Sequence, residues 1–290
     1  MHIEQIRRQY PNIDLEELLP LFPEIPLSEY PTELAGYSRG DVYAGALAPG
    51  GLLMACDMAR KMDLSPGMRL LDIGPGNGAS SVFLARHYGV RVTAGEYWID
   101  PTDIWRRAVQ AHCGDLVMPM KIDARVMPFA AQYFDAVFSL DAFAYFMTDD
   151  CYPAYLAEFV GIGGRLCIGG ACYTRELTED TPKDLMWPMS YAYHSPAWWR
   201  RHFEKSGAWR VTSCEEHPKG RELWLDDTRR CLEQCHPRDM DETTRDSVLQ
   251  SIVMLLADRE HLLSHFVMVA ERRESPRLQQ GHVMTPPVPD

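Results

Sequence analysis

A glycine-rich segment between an apolar strand and a helix constrains the fold of this 290-residue chain more than any other feature. The segment is Leu71-Asp72-Ile73-Gly74-Pro75-Gly76-Asn77-Gly78; MRLLDIG predicts a buried strand before it, and SSVFLARHYG predicts a helix after it. Glycine tolerates positive φ and lets the backbone approach a ligand closely. The helix N-terminus beyond it offers unpaired N–H groups. The sequence predicts a ligand-binding turn, with a tight turn that binds nothing as the alternative.

Strands and helices alternate around this turn from residue 68 to residue 172. The further strands are predicted at VRVTAGEYW, LVMPMKIDA, FDAVFSLDAF and GGRLCIGGACY, with helices over residues 102–113 and at CYPAYLAEFV. An amphipathic helix, GGLLMACDMARKMDL, precedes the first strand. This alternation is typical of an α/β fold with a doubly wound, mostly parallel sheet.

The pattern changes on both sides of that region. Residues 1–50 read as a partly helical segment that packs on a main domain of residues 51–273. Within the main domain, an aromatic-rich insertion (174–207) and a helical insertion (226–262) are expected to form a lid. AWRVTSCEE and SHFVMVAERR read as the last two strands, and residues 274–290 as a disordered tail.

Composition excludes several classes of function. The chain has 29 basic and 41 acidic residues and a net charge of −12, which disfavours nucleic acid and anionic membranes as partners. No apolar run reaches the ~18 residues of a membrane span. MHIEQIRRQY does not resemble a signal peptide, and the eight cysteines form no CxxC pair, so we expect a cytoplasmic protein with reduced thiols. Cys231, Cys235 and His236 lack a second ligand pair, so no metal is predicted.

The turn fits two ligand templates. As Gly-x-Gly-x-x-Ala it could hold a dinucleotide pyrophosphate. As Asp-x-Gly-x-Gly-x-Gly, beginning at Asp72, it resembles the cofactor loop of class I S-adenosylmethionine (SAM) methyltransferases. Glu96, which ends the next strand, fits both templates because a carboxylate can accept both ribose hydroxyls. Asp123, in KIDARVMPF, fits only the second. The expected antiparallel last strand is also characteristic of the methyltransferase sheet. Together these features favour the second template.

The resemblance covers roughly residues 30–273. GYSRGDVYAG, WIDPTDIWRRA, FSLDAFAYFMTDD, YHSPAWWRRHFEKSG and GRELWLDD are similar to a group of small-molecule methyltransferases often described as cyclopropane-synthase-like or ubiquinone-methyltransferase-like. The chain departs from that group at Pro75, where the group usually has Cys, and in residues 142–146, where the group often has His. The resemblance implies a Rossmann-like sheet and SAM as the cofactor.

The resemblance also implies which residues meet the nucleoside of SAM. Glu96 would bind the ribose, Asp123 and Ala124 would meet the adenine edge, and Tyr97 or Trp98 would flank the adenine ring. The alternatives are a loop-capping role for Asp123 and ordinary packing for the two rings. The turn would approach the amino-acid and ribose portion of SAM through Asp72, Gly74, Gly76 and Gly78.

Two further segments would meet the methionine end of SAM. Leu140 and Asp141 end the fourth strand beside it, although Asp141 could instead cap the next helix. Tyr37, Arg39 and Tyr43 would fold over the cofactor. Arg39 would pair with the SAM carboxylate, or else lie in a surface loop.

Aromatic residues crowd the regions expected to cover the site. Tyr145, Tyr173 and His194 are the predicted pocket residues, and His194 is the candidate base because its ordinary pKa lies near neutrality. A structural role is the alternative for each. The remaining rings, which would form the core of the lid or attract a cation, are Tyr191, Tyr193, Trp198, Trp199 and Trp224.

The leading hypothesis is in-line transfer of the SAM methyl group to a small-molecule acceptor, driven mainly by alignment. A second hypothesis makes SAM the only substrate: its amino group attacks its own γ-carbon and gives azetidine-2-carboxylate and methylthioadenosine, with Tyr145, Tyr173 and Asp141 around it. A third is a SAM-binding subunit without activity. A homodimer is left open.

Overall fold

A computed structural model describes residues 20, 22–43, 50–181, 183–185, 192–234 and 251–274. A seven-stranded sheet organises them. Its strands are β1 (Arg69–Ile73), β2 (Arg91–Glu96), β3 (Val117–Lys121), β4 (Phe134–Leu140), β5 (Val160–Tyr173), β6 (Trp209–Glu216) and β7 (Leu263–Arg272).

The strand order is β3-β2-β1-β4-β5-β7-β6. β1 to β5 pair in parallel, whereas β7 runs antiparallel to both β5 and β6. The sequence order steps outward from β1 to β3, returns to β4 beside β1 and continues in the other direction. The predicted doubly wound, mostly parallel sheet with an antiparallel last strand is therefore confirmed.

Helices cover both faces of the sheet. They are α1 (Arg39–Tyr43), α2 (Gly51–Ala59), α3 (Ala79–Tyr88), α4 (Pro101–Gln110), α5 (Tyr152–Glu158), α6 (Pro196–Glu204) and α7 (Gly220–Gln234). Residues 251–257 are also helical, and single 3₁₀ turns occur at Leu27–Glu29, Thr32–Leu34, Phe143–Tyr145 and Lys183–Leu185. Within the described residues, no helix is both long and apolar enough to cross a membrane.

Local chemistry explains where several helices begin and end. α3 lies between Gly78 (φ 85°) and Gly89 (φ 66°), both in the left-handed region that glycine adopts without strain. The Asp100 side chain accepts the N–H of Thr102 at the start of α4, and Ser195 accepts the N–H of Trp198 at the start of α6. Both are N-caps followed by proline, which suits the first helical turn.

Helix α2 differs from the amphipathic helix expected here. Every residue of α2 except Asp57 is buried. One side packs on the sheet, where a Cβ at Gly169 would lie 2.5 Å from Met58 Sδ. Leu34 and Tyr43 of the N-terminal segment pack into the same cluster. The apolar positions of the predicted amphipathic helix are buried as expected, but the helix ends at Ala59 and has little exposed surface, because the N-terminal segment covers its other side.

The described part of the N-terminal segment contacts the main sheet domain. Phe22 and Ile25 are buried, and the backbone N–H of Ile25 donates to Asp226 Oδ1 of α7. Residues 1–19 and the predicted tail from 275 onward lie outside the described residues, as does much of the two predicted insertions. The proposed domain boundaries therefore stay predictions.

Candidate active site

A cavity of about 320 Å³ opens at the carboxyl ends of the parallel strands. Open α/β sheets bind ligands at this edge, where the strand order reverses. The segments that follow β1, β2, β3 and β4 supply the walls, so residues far apart in sequence meet here. The lining residues are Ile73, Gly74, Gly76, Gly95, Glu96, Tyr97, Trp98, Ile99, Ile122, Asp123, Ala124, Arg125, Leu140, Asp141, Ala142, Tyr145 and Phe146.

The glycine turn is shaped by two close approaches. Gly74 has φ 70°, and a Cβ there would lie 2.3 Å from the Cβ of Ala142. A Cβ at Gly78 would lie 2.6 Å from Ile104 Cγ2 of α4. Gly74 therefore lets the turn meet the segment after β4, inside the cavity. Gly78 instead lets α3 pack on α4 and does not line the cavity.

The Glu96 carboxylate is held by three backbone N–H groups. Oε2 accepts the N–H of Gly76 at 2.9 Å, and Oε1 accepts the N–H groups of Tyr97 and Trp98 at 2.8 Å each. These bonds fix a buried carboxylate at the end of β2 and orient it in the cavity wall. Each carboxylate oxygen can accept more than one hydrogen bond, so acceptor capacity remains for a ligand hydroxyl.

Asp72 lies behind the glycine turn rather than in the cavity wall. Its Oδ2 accepts the hydroxyls of Ser80 and Ser81 of α3, and the residue is fully buried. Burial raises the pKa of this carboxyl to about 6, against the opposing effect of the two serine bonds. The position fits a carboxyl that anchors the start of α3 to β1. Direct ligand contact by Asp72, as the resemblance implied, has no support from this placement.

Asp123 forms a two-pronged ion pair with Arg125 at the cavity. Its oxygens accept from Arg125 Nη2 at 2.7 Å, from Nε at 2.9 Å and from the backbone N–H at 2.9 Å. The guanidinium lowers the pKa of the Asp123 carboxyl. The local turn is thus the loop cap considered as the alternative for Asp123, and Asp123 and Ala124 still line the cavity.

Four aromatic side chains surround the opening. Trp98 and Tyr145 meet edge to face with ring centroids 5.0 Å apart, and both are at least half exposed. Tyr97 and Phe146 line the cavity beside them. Of the predicted pocket residues Tyr145, Tyr173 and His194, only Tyr145 lies in the cavity wall.

Asp141 directly follows β4, lines the cavity and has φ 55°. Its Oδ1 accepts the N–H of Ala171 from β5 at 2.7 Å, so it bridges two strands rather than capping a helix. Burial raises the pKa of this carboxyl to about 7. Oδ2 lies 4.0 Å from Nε2 of His265, a buried residue of β7.

Tyr173 and His194 lie outside the cavity wall because other partners hold them. The Tyr173 ring is buried, and its hydroxyl donates to the carbonyl of Leu185. His194 Nδ1 lies 3.0 Å from Glu176 Oε2, and its ring stacks on Trp198 at 3.7 Å. Their predicted places in the pocket are corrected accordingly.

The predicted cover residues are also placed elsewhere. The Tyr43 hydroxyl donates to Asp226, and the Tyr43 ring lies under Arg230. Tyr37 packs against the apolar cluster formed by Leu34, Tyr43 and helix α2. The side chain of Arg39 and the whole of Tyr191 lie outside the described residues. The remaining lid rings, Tyr193, Trp198, Trp199 and Trp224, pack in apolar clusters.

Several residues of the site were not predicted from the sequence. Arg125 follows Asp123 by two positions, so its pairing had a local signal. Ala142 had no local signal, because its close approach to Gly74 joins residues 68 positions apart in the sequence. Phe146 and Ile122 had no signal beyond apolarity. His265, which faces Asp141 but does not line the cavity, had no signal at all, because the pairing of β7 with β5 brings it to the site.

Comparisons with known proteins agree with this geometry. Residues 70–162 match a family described as "Methyltransferase domain". This part of the chain is therefore similar to methyltransferase domains. It contains the glycine turn and the four strand ends that build the cavity. Two solved methyltransferases with a similar fold are complexes with SAM or with S-adenosylhomocysteine.

The methyltransferase GfsG of Streptomyces halstedii is 28% identical over 123 residues, which are 42% of this chain. The match spans only 44% of the length of that relative.

Within the described residues, no group of three or more His, Cys, Asp or Glu side chains is placed to hold a metal ion, and Cys235 and His236 lie outside them.

Solved structures share the fold of this chain. Phosphoethanolamine N-methyltransferase 2 of Haemonchus contortus, in complex with SAM, has a TM-score of 0.67 at 17% identity, over 90% of this chain and 60% of that one. The [4+2]-cyclase SpnF has a TM-score of 0.64 at 15% identity, over 87% and 99%. Geranyl diphosphate C-methyltransferase of Streptomyces coelicolor A3(2) has a TM-score of 0.60 at 16% identity, over 93% of this chain and 98% of that one.

Proposed function

We propose that this protein is an enzyme that binds SAM in the cavity and directs its methyl group to a small-molecule acceptor. The observation that carries the proposal is the Glu96 carboxylate, which three backbone N–H groups hold in the cavity wall. A fixed carboxylate at this position suits the two adjacent hydroxyls of a ribose. Its bond to Gly76 joins it to the glycine turn that the family uses for SAM.

The other polar groups of the wall fit the remaining parts of SAM. The Asp123 carboxylate lies in the cavity wall, where it could accept the adenine amino group in addition to Arg125. Ile122 and Leu140 offer apolar surface for the flat ring. Asp141 offers a carboxyl for the ammonium of the methionine end. An acidic wall of this kind fits a cationic ligand better than the pyrophosphate of a dinucleotide, which carries negative charge.

Bound SAM supplies a methyl group that its sulfonium already activates. The chain then has to align an acceptor and exclude water, and alignment alone can supply about 7–11 kcal/mol of the barrier. Trp98, Tyr145 and Phe146 surround the opening and could do both. Their aromatic faces attract cations by roughly 0.5–2 kcal/mol each. These three residues are our candidates for contact with the acceptor.

The structural neighbours support a small acceptor without identifying it. Two of them are named as methyltransferases of phosphoethanolamine and of geranyl diphosphate, and a third is named as a [4+2]-cyclase. The same fold therefore hosts different reactions. Cyclisation of SAM itself remains the competing hypothesis, and the products formed from SAM alone distinguish the two.

Calorimetric titration with S-adenosylhomocysteine tests the binding site. Glu96→Gln removes the charge and places an amide beside the Gly76 N–H, so we expect affinity to fall about 10- to 150-fold, the loss of one charge-assisted hydrogen bond. Glu179→Gln, at an exposed position, is the matched control and should bind as the wild type does. Equal affinity of the Glu96 variant and the wild type would overturn the proposed site.

A further inference from the structure

A buried carboxyl and a buried imidazole face each other beside the cavity. Asp141 Oδ2 and His265 Nε2 are 4.0 Å apart. Both atoms are shielded from solvent, and neither has a hydrogen-bond partner within the described part of the chain. Buried polar atoms are normally paired, so two unpaired atoms that face each other require an explanation.

The surrounding backbone fixes both side chains in this arrangement. His265 Nδ1 lies 2.7 Å from the carbonyl of Gly220, which can only accept, so Nδ1 carries the hydrogen. Nε2 then presents a lone pair to Asp141. On the other side, Asp141 Oδ1 accepts the N–H of Ala171, and a Cβ at Gly170 would lie 2.0 Å from that same oxygen. Glycine at 170 leaves the room that the carboxyl occupies.

This geometry favours one proton between the two groups. An ionised carboxylate opposite a neutral imidazole would set two acceptors against each other, whereas a proton on Oδ2 can be donated to Nε2 after a shift of about 1 Å. Burial acts in the same sense, because it raises the pKa of Asp141 to about 7 and lowers that of His265 to about 4. Below pH 7 the proton therefore lies on Asp141.

Other charged groups around the pair do not supply that proton. Asp227 of α7 raises the pKa of Asp141 further, and it forms an ion pair with Arg230. His217 lowers the pKa of His265 and is bonded to Asp57. The remaining titratable or charged groups that share the cavity with Asp141 are Glu96, Tyr97, Asp123, Arg125 and Tyr145.

We propose that Asp141 and His265 hold one proton between them in the free protein, and that the ammonium at the methionine end of SAM displaces this proton on binding. The inference rests on the proposed function, since it takes SAM as the ligand of the cavity. On binding, the carboxyl loses its proton to solvent, the carboxylate pairs with the ammonium, and His265 stays neutral with its hydrogen on Nδ1. Asp141 contacts the ligand, and His265 is a positioning residue that acts through Asp141.

Proton release on binding tests the inference directly. S-adenosylhomocysteine is titrated calorimetrically between pH 5 and pH 7 in two buffers of different ionisation enthalpy. Its α-ammonium stays protonated there, because α-amino groups ordinarily titrate at about 7.7–8.0. We expect release of close to one proton at pH 5–6 and an affinity that rises nearly tenfold per pH unit. Asp141→Asn should release none and show a flat profile.

His265→Gln and His202→Gln form a matched pair of variants. In His265→Gln, the amide that replaces the imidazole would offer an N–H to Asp141 Oδ2, which favours the carboxylate. The pH midpoint should therefore move down, and less proton should be released at pH 6. His202 is likewise buried and bonded to a backbone carbonyl, that of Met147, but it does not face Asp141. His202→Gln should therefore keep the wild-type profile.

The outcomes separate this inference from the proposed function. Absence of any binding to the wild type would overturn the proposed function itself. Tight binding with a flat pH profile and no proton release would overturn only the shared proton. An unchanged profile for His265→Gln would remove His265 from the account, and proton release that persists in Asp141→Asn would remove Asp141.

Discussion

The Glu96 carboxylate accepts the backbone N–H of Gly76 at 2.9 Å and so ties the end of β2 to the turn after β1. The other oxygen of Glu96 accepts the N–H groups of the two residues that follow it. The proposed ribose acceptor is therefore oriented by backbone groups before any ligand arrives. Preorganisation of this kind lowers the entropic cost of binding.

Asp123 and Arg125 are bonded to each other but are expected to have different roles: Asp123 contacts the ligand, whereas Arg125 only supports the local structure. We expect Asp123→Ala to weaken binding of S-adenosylhomocysteine at least tenfold, because a hydrogen bond to a charged group contributes about 1.5–3 kcal/mol. Arg125→Ala removes a partly exposed ion pair, so the free energy of unfolding should change by less than about 1 kcal/mol. Calorimetry and urea denaturation measure the two effects. Unchanged affinity in Asp123→Ala would exclude Asp123 from the ligand site.

Alanine substitutions at Gly67 and Gly74 distinguish the cost of a strained backbone from the cost of a steric overlap. Both have positive φ, of 70° and 84°, but a Cβ at Gly67 meets nothing within 4 Å, whereas one at Gly74 overlaps Ala142. Gly67→Ala should cost about 1–2 kcal/mol in the free energy of unfolding. Gly74→Ala should cost about 1–3 kcal/mol more. The double variant Gly74→Ala with Ala142→Gly should return to the cost at Gly67, as measured by denaturation. A cost at Gly74 no larger than that at Gly67 contradicts the close approach.

Gly170 is expected to be intolerant of even one methyl group. A Cβ there would lie 2.0 Å from Asp141 Oδ1, so Gly170→Ala should displace the carboxyl, destabilise the fold by about 1–3 kcal/mol and weaken ligand binding. Gly161→Ala on the same strand is the control, since its nearest neighbour would be 3.7 Å away. Thermal denaturation and calorimetry of both variants check this. Equal stability and equal ligand affinity of the two variants would contradict the prediction and would mean that the Asp141 carboxyl has room to move.

Asp72 should make stability depend on pH. Its folded pKa of about 6 lies above the ordinary 3.8, so between these values the folded state binds the proton that the unfolded state has lost. The free energy of unfolding therefore falls as pH rises through this window, by up to about 3 kcal/mol from this group. The free energy of unfolding of Asp72→Asn, measured by urea denaturation, should fall less between pH 4 and pH 7 than that of the wild type. Parallel curves for the two proteins would contradict the raised pKa.

Much of the sheet could be predicted because its signals are local. Apolar runs bounded by glycine, as in Leu71–Gly78, define a buried strand and its turn within a few residues. Glu96 and Asp123 were found because they lie at the carboxyl ends of strands: Glu96 is the last residue of β2, and Asp123 comes two residues after β3. The loop-cap alternative for Asp123 was also local, but it did not include the pairing with Arg125, a near neighbour in sequence.

Contacts set by distant pairing could not be predicted in the same way. His265 reaches Asp141 only because it lies opposite Ala171 in the antiparallel pair of β7 and β5. Tyr173 and His194 are aromatic residues in the expected region, but partners at Leu185 and Glu176 hold them away from the cavity. A cytoplasmic location and a homodimer stay predictions.

Mass spectrometry of the products formed from SAM tests the central claim most directly. Purified protein is incubated with SAM alone and with panels of small amines, thiols and phenols, and the Glu96→Gln variant serves as the control. The account predicts that SAM alone stays intact, and that a suitable acceptor yields S-adenosylhomocysteine and a singly methylated product. Methylthioadenosine released from SAM alone, above the rate without protein, would contradict it and favour cyclisation of SAM.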